Sequence, residues 1–228
     1  MYILQILDVQ IRHAYEVKAY FCRAAYESDV REYFDQTPAA PGYSQIMISL
    51  YYDLIMTVVR VFDKLPNKMH ADNTASLPEL ISLLKDSSTV ESLKERERLA
   101  RTLPSEQITA LENTEPGFYF RHEREVQESV NHMEVEVSEL INDFKGINGS
   151  HHLRGLQNTR NQLLAHTAIN INNREVSRFG DAESLLDLTA KYIMSLNATI
   201  RRLHDNYEQH VGNCNTTAND YWLKVINE

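Results

Sequence analysis

Apolar residues recur at three- and four-residue spacing almost from one end of this chain to the other, and no stretch alternates with period two for long enough to make a strand. That single pattern excludes a sheet-based fold and predicts an all-α protein. Seven glycines and six prolines in 228 residues are few, which favours long regular elements over many turns. A first long helix is predicted over residues 2 to 35, with QTPAAPGY breaking it at Pro38, Pro41 and Gly42. Ser44 is the expected cap of a second helix, with Ile46, Met47, Leu50, Tyr51, Leu54, Ile55, Val58, Val61 and Phe62 on its apolar side, and Pro66 is its expected stop. SLPEL offers a capping box, with Ser76 at the N-cap and Glu79 three residues on. Ser88 and Glu91 repeat the device for a short helix through about Leu103.

A third long helix is predicted from Phe118 to Lys145, its inner side carrying Val126, Val130, Met133, Val137, Leu140, Ile141 and Phe144. GINGS turns the chain, and Ser150 caps a helix over LRGLQNTRNQLLAH. A polar connection spans residues 167 to 181. Asp181 is then expected to cap a last long helix through about Val211, with Leu185, Leu188, Tyr192, Leu196, Ile200, Leu203 and Tyr207 as its stripe. NCNTTAND reads as loosened chain before a short terminal helix in which Trp222 anchors on the bundle. Each helix has one face to bury, which is the logic of a single-domain, up-and-down helical bundle of four to five long helices plus short peripheral ones, spanning residues 1 to 228.

Charge narrows the function. A formal net charge of −9 disfavours a broad nucleic-acid surface but leaves room for a local phosphate site. Residues 123 to 143 carry seven carboxylates, from Glu123 to Asp143, against Arg124 alone. From Arg154 to Arg178 the sign reverses, with Arg154, Arg160, Arg174 and Arg178 against Glu175. Cys22 and Cys214 sit in no metal or redox spacing, and the N-terminus lacks a secretory pattern, so a cytoplasmic protein is expected. No apolar run is long enough to span a membrane.

Within LRGLQNTRNQLLAH, Arg160 lies in line with Leu153, Leu156, Leu163 and Leu164. A guanidinium on an apolar seam needs a partner, because its desolvation is costly. Either the seam holds a structural ion pair there, or it opens onto a polar pocket. Arg160, Asn161 and His166 form the pattern R-N-x4-H. Arginine offers a planar fork of donors for phosphate oxygens, and histidine titrates near neutrality. Together they suffice to cut RNA without a metal: histidine moves a proton at the 2′-OH or the leaving 5′-oxygen, and arginine stabilises charge on the phosphoryl group. Six residues of ideal helix leave the two side chains roughly 120° apart, so convergence needs the helix to unwind near Ala165, the arginine to reach along a groove, or two copies of the chain to line one cleft, the last two combined being favoured.

R-N-x4-H in an all-helical chain resembles the signature of the HEPN superfamily (higher eukaryotes and prokaryotes nucleotide-binding). The wider layout, through YYDLIMTVVRVFDK at 51 to 64, TASLPELISLL at 74 to 84 and residues 156 to 166, is similar to its abortive-infection U-type branch. The resemblance implies a dimerising bundle and a metal-independent endoribonuclease that leaves a 2′,3′-cyclic phosphate, acting as a toxin or in phage defence, with Arg160, Asn161 and His166 as its site and no cofactor. The alternative to that main reading is a catalytically silent dimer that binds a nucleotidyltransferase, an antitoxin or another defence partner. Family members with a tyrosine two residues after the histidine are modified by a nucleotidyltransferase; this chain has Ala168 there. A third possibility is a helical scaffold with no nucleic-acid role, in which a buried carboxylate caps Arg160.

Other residues have plainer readings. Arg60 and Asp63 suit an ion pair within or between helices, or support for the Arg–His cleft. Glu128 and His132 have i,i+4 spacing but no third ligand at matching spacing. His151 and His152 read as capping-turn residues, and His204 and His210 as solvated positions. Tyr51 and Tyr52 suit core or dimer contact better than base stacking, and the acidic helix is a solvated face or a surface for a basic partner.

Overall fold

The computed structural model describes residues 2–63, 75–164, 177–204 and 206–227, and every described element is helical. The order is α1 (Tyr2–Tyr26), α2 (Ser28–Asp35), α3 (Ala40–Arg60), α4 (Leu77–Leu84), α5 (Ser87–Arg101), α6 (Ser105–Thr114), α7 (Phe118–Asn148), α8 (His151–Leu164), α9 (Phe179–Leu196) and α10 (Tyr207–Asn227), with a π-helical turn at Asn197–Arg201.

The protein is an all-α bundle centred on α1, α3 and α9, which pack on one another. Helix α8 lies against α3 and α9, α7 against α9 and α5, and α10 against α1 and α2. The shared core takes Leu4, Leu7 and Ile11 from α1, Leu54, Ile55 and Val58 from α3, and Leu185, Leu186 and Ile193 from α9. Met133, Val137 and Leu140 close it from α7, and Leu153 and Leu156 from α8. These are the inward positions of each 3.6-residue repeat, and burying them drives assembly. A smaller cluster of Ala24, Val30, Phe34 and Trp222 ties α2 and the end of α10 to α1. Trp222 donates its indole N–H to the Tyr20 carbonyl at 3.1 Å.

Two expected caps are in place. The Ser76 hydroxyl accepts from the Glu79 amide at 3.4 Å, and Ser150 accepts from Leu153 at 3.2 Å. Elsewhere the boundaries differ from the sequence expectation. The first helix stops at Tyr26, with extended backbone at Glu27 before α2 begins. Helix α3 starts at Ala40 rather than after Ser44, because Pro41 fits a first helical turn, where its missing N–H costs nothing. Asp86, not Ser88, caps α5 by accepting from the Thr89 amide. Asp181 is the third residue of α9, not its cap, and its carboxylate reaches back to the Arg178 amide at 3.1 Å.

The largest departures lie near the C-terminus. The expected single helix through Val211 ends instead in the π-helical turn, and Arg202 adopts a left-handed φ of 55°. NCNTTAND, expected to be loose, lies within α10. Cys214 and Ala218 are its inward residues and pack on Ala19 of α1. Small side chains let the two helices approach closely, and that packing overrides the weak helix propensity of Asn and Thr. Helix α6 was not anticipated; it buries no residue.

Candidate active site

Arg160 stands in the last part of α8, where that helix crosses the exit of α3. Its guanidinium resolves the question posed by the sequence: Nη1 donates to the carboxylate of Asp63, three residues beyond the end of α3. The pair therefore ties α8 to the segment that follows α3, and Asp63 takes Arg160 rather than Arg60 as its partner. The Arg160 side chain is 17% exposed and that of Asp63 41%, so the carboxylate is not sealed in the core. Nη2 makes a long contact of 3.5 Å to the amide oxygen of Asn161, which is itself exposed. The third nitrogen, Nε, is buried and has no acceptor among the described residues. His166, the remaining member of the predicted triplet, lies outside the described residues, as do Arg174 and Pro66 and most of the connection at 167 to 181.

The residue just before Arg160 on α8, Thr159, meets the chain where the described residues resume at Ser177. The Ser177 amide donates to the Thr159 hydroxyl at 2.9 Å, and the Tyr51 hydroxyl of α3 donates to the Ser177 carbonyl. Burial, reinforced by the charge of Asp181, pushes the Tyr51 phenol up to about 12. It stays protonated at neutrality and serves as a donor. Phe179 then stacks on Phe21 of α1, with centroids 4.5 Å apart. Tyr51 is thus a packing and tethering residue, while Tyr52 is 39% exposed beside it.

Among the described residues, two groups of side chains have donor atoms close enough to hold a metal ion. His151 and His152 at the start of α8 meet Asp181 at the start of α9. His152 Nδ1 is 3.0 Å from Asp181 Oδ1, and the hydrogen bond holds that carboxyl below its usual range. The histidines therefore join two helix starts rather than serving only as turn residues. The second group is Glu16 of α1 with His210 and Cys214 of α10. His210 is partly buried and lies 3.1 Å from the Arg12 carbonyl, so it is not the solvated position expected of it; His204 is exposed. The spacing of His210 and Cys214 is legible in the sequence, but only once residues 213 to 220 are known to be helical. Neither group includes the i,i+4 pair considered on the acidic helix; His132 instead sits 3.4 Å from Glu136.

The acidic face of α7 is partly paired. Glu134 meets Lys94 at 3.4 Å and Glu136 meets Arg202 at 3.4 Å. Two cavities open on α7, one of about 560 Å³ beside Lys191 and Tyr192 of α9, the other of about 620 Å³ beside Arg98, Tyr119 and Phe120. Arg160 lines neither.

The AbiU2 family of HEPN proteins has a model that matches residues 3–225, nearly the whole chain. This protein belongs to that family. The matched span runs from α1 to α10, so α6 and nearly all of the C-terminal helix lie within it. No curated protein and no solved structure matches the chain. Among the described residues, no helix of this AbiU2 protein is long and apolar enough to cross a membrane.

Proposed function

We propose that this AbiU2 protein serves phage defence as a HEPN homodimer that binds a partner protein, a nucleotidyltransferase or another component of the same defence system, without itself cutting RNA. The observation that carries this reading is the Asp63 carboxylate on the Arg160 guanidinium. A phosphate entering there meets a cation already neutralised by a carboxylate of the same chain, and must displace it at the cost of leaving Asp63 near a second anion. The pair links the exit of α3 to the end of α8 and so gives Arg160 a structural role that needs no substrate.

A second reading has its own support. Arg160 Nε is a buried donor without an acceptor among the described residues, and a donor left so costs about 1–3 kcal/mol unless something completes it. Asp63 is exposed enough to turn away. With a phosphate oxygen on Nε and Nη2, Arg160 and His166 would form the catalytic pair of a metal-independent endoribonuclease, Asn161 orienting one of them.

One experiment separates the two. The purified full chain is incubated with total RNA in excess EDTA, beside Arg160→Ala and His166→Ala. Intact RNA with all three proteins is the expected result. Fragments ending in a 2′,3′-cyclic phosphate that appear with the wild type and vanish in both variants would overturn the partner-binding reading and establish the nuclease.

A further inference from the structure

The contact of α10 with α1 holds the donor set of a transition-metal site. His210 and Cys214 are four residues apart on α10, so their side chains share one face, and Glu16 on α1 faces them. All three donor atoms lie within 4.8 Å of one another. Cys214 Sγ is 3.4 Å from His210 Nε2. Tetrahedral ligands at ordinary zinc–sulfur and zinc–nitrogen lengths stand about 3.5 Å apart, so these two need no rearrangement to share an ion. Cys214 is buried, Glu16 is exposed, and His210 lies between, which leaves one side open to water for a fourth ligand. The Arg12 carbonyl oxygen lies 3.1 Å from the same imidazole nitrogen and adds a further oxygen at the rim.

We infer that Glu16, His210 and Cys214 bind one zinc-type divalent ion that clamps the C-terminal helix onto the first helix. A sulfur, a nitrogen and a carboxylate oxygen select a borderline or soft cation; calcium and magnesium prefer oxygen alone. Binding exchanges protons for the metal. The Cys214 thiol loses its proton to solvent as the metal–sulfur bond forms. The imidazole moves its proton from Nε2, where it donates to the Arg12 carbonyl, to Nδ1, so that the Nε2 lone pair meets the metal in place of that hydrogen bond. Burial and the nearby Glu16 charge hold the Cys214 thiol protonated without an ion, and a dication in contact with sulfur reverses that balance. Glu16 Oε2 also lies 3.7 Å from His13 Nδ1, which in turn lies 3.3 Å from Asp53 of α3 through Nε2.

The site is separate from the Arg160 crossing. Helix α10 packs on α1 and α2, whereas Arg160 belongs to α8, which packs on α3 and α9. The ion's role is therefore to hold the fold, and its presence does not depend on whether RNA is cut.

The test uses the full chain stripped with a chelator, desalted under reducing conditions and titrated with cobalt chloride. A near-ultraviolet thiolate-to-cobalt charge-transfer band should rise to one equivalent per chain and disappear when zinc chloride is added. Zinc should raise the melting temperature of the stripped protein. Cys214→Ala should abolish the band, and Cys22→Ala should leave it whole. Glu16→Gln changes only an exposed side chain and should keep the fold and the band while weakening cobalt affinity at least about tenfold. His152→Ala should leave both unchanged, since it removes only the other cluster. The inference is overturned by a folded wild type without a charge-transfer band, by a band that survives Cys214→Ala, or by wild-type affinity in Glu16→Gln.

Discussion

Arg160 of α8 and Asp63 at the exit of α3 are 97 residues apart in the chain, yet they form a direct ion pair where the two helices cross. Asp63 is well hydrated on one side, so the pair belongs between a surface bridge and a buried one. A double-mutant cycle with Asp63→Ala and Arg160→Ala, followed by urea unfolding, should give a coupling of about 1 kcal/mol. Arg160→Ala should cost more than Asp63→Ala, because the arginine also buries its stem. A coupling near zero would remove the structural role assigned to this pair.

Glu97 anchors the other end of the bundle. Its side chain is 5% exposed and receives Ser129 of α7 at 2.6 Å, Arg101 at 2.7 Å and Arg202 at 2.9 Å. Burial works against the charge, but these hydrogen bonds and the Arg202 charge outweigh it and bring the carboxyl down to about 2. A depressed folded-state value contributes stability that is complete above the unfolded value near 4.5 and is lost as pH falls toward about 2. Glu97→Gln should therefore lose about 2 kcal/mol at pH 7, with the difference from wild type shrinking between pH 4.5 and 2. Urea midpoints measured across that range check it; a constant offset would point to packing rather than ionisation.

How much of this could be read from the chain depended on what each residue advertises. The start of α7 at Phe118 and the Ser76 cap follow from local chemistry, and both stand where spacing put them. The break after α9 does not: Leu196, Ile200, Leu203 and Tyr207 keep helical spacing straight through it. What interrupts the helix is the π-helical turn, whose buried Asn197 accepts from Leu203 through its carbonyl and from Arg201 through its side chain. Residues 213 to 220 failed in the opposite sense. Their inward positions are Cys214 and Ala218, too small to draw an apolar stripe, and only contact with α1 reveals their use. At the candidate site, spacing marked Arg160 as needing an exit or a partner and named Asp63 either as an ion-pair partner or as support for that cleft, but which of the two holds across 97 residues leaves no trace in spacing.

Trp222 is the chain's one tryptophan, and it is buried against Phe34 and Tyr43 with its N–H on the Tyr20 carbonyl. Trp222→Ala should destabilise the protein by roughly 3–5 kcal/mol, and Trp222→Phe by less, since it keeps a ring and loses the hydrogen bond. Because no other indole contributes, fluorescence reports the docking of α10 alone, while circular dichroism at 222 nm (approximately) reports all helices. Coincident urea transitions by the two probes are expected, as α10 shares α1 with the main core. A fluorescence transition preceding loss of helix would mean that α10 undocks independently.

Gly155 lies on the face of α8 that receives the returning chain, and a Cβ built there would stand 2.9 Å from the Ser177 hydroxyl oxygen. Alanine in a helix interior gains about 1 kcal/mol over glycine through backbone entropy, so the contact sets the sign of the substitution. The obstruction is a single hydroxyl on one torsion, and the Ser177 backbone stays held by Thr159 and Tyr51 whichever way that torsion turns. Gly155→Ala alone should leave stability within about 0.5 kcal/mol of wild type, the two effects offsetting. Combined with Ser177→Ala, the same change should stabilise by roughly 0.5–1 kcal/mol in urea unfolding. If the double variant is no more stable than the single one, the chain at Ser177 sits closer to α8 than a methyl group allows, and glycine is required there by the backbone and not by the hydroxyl.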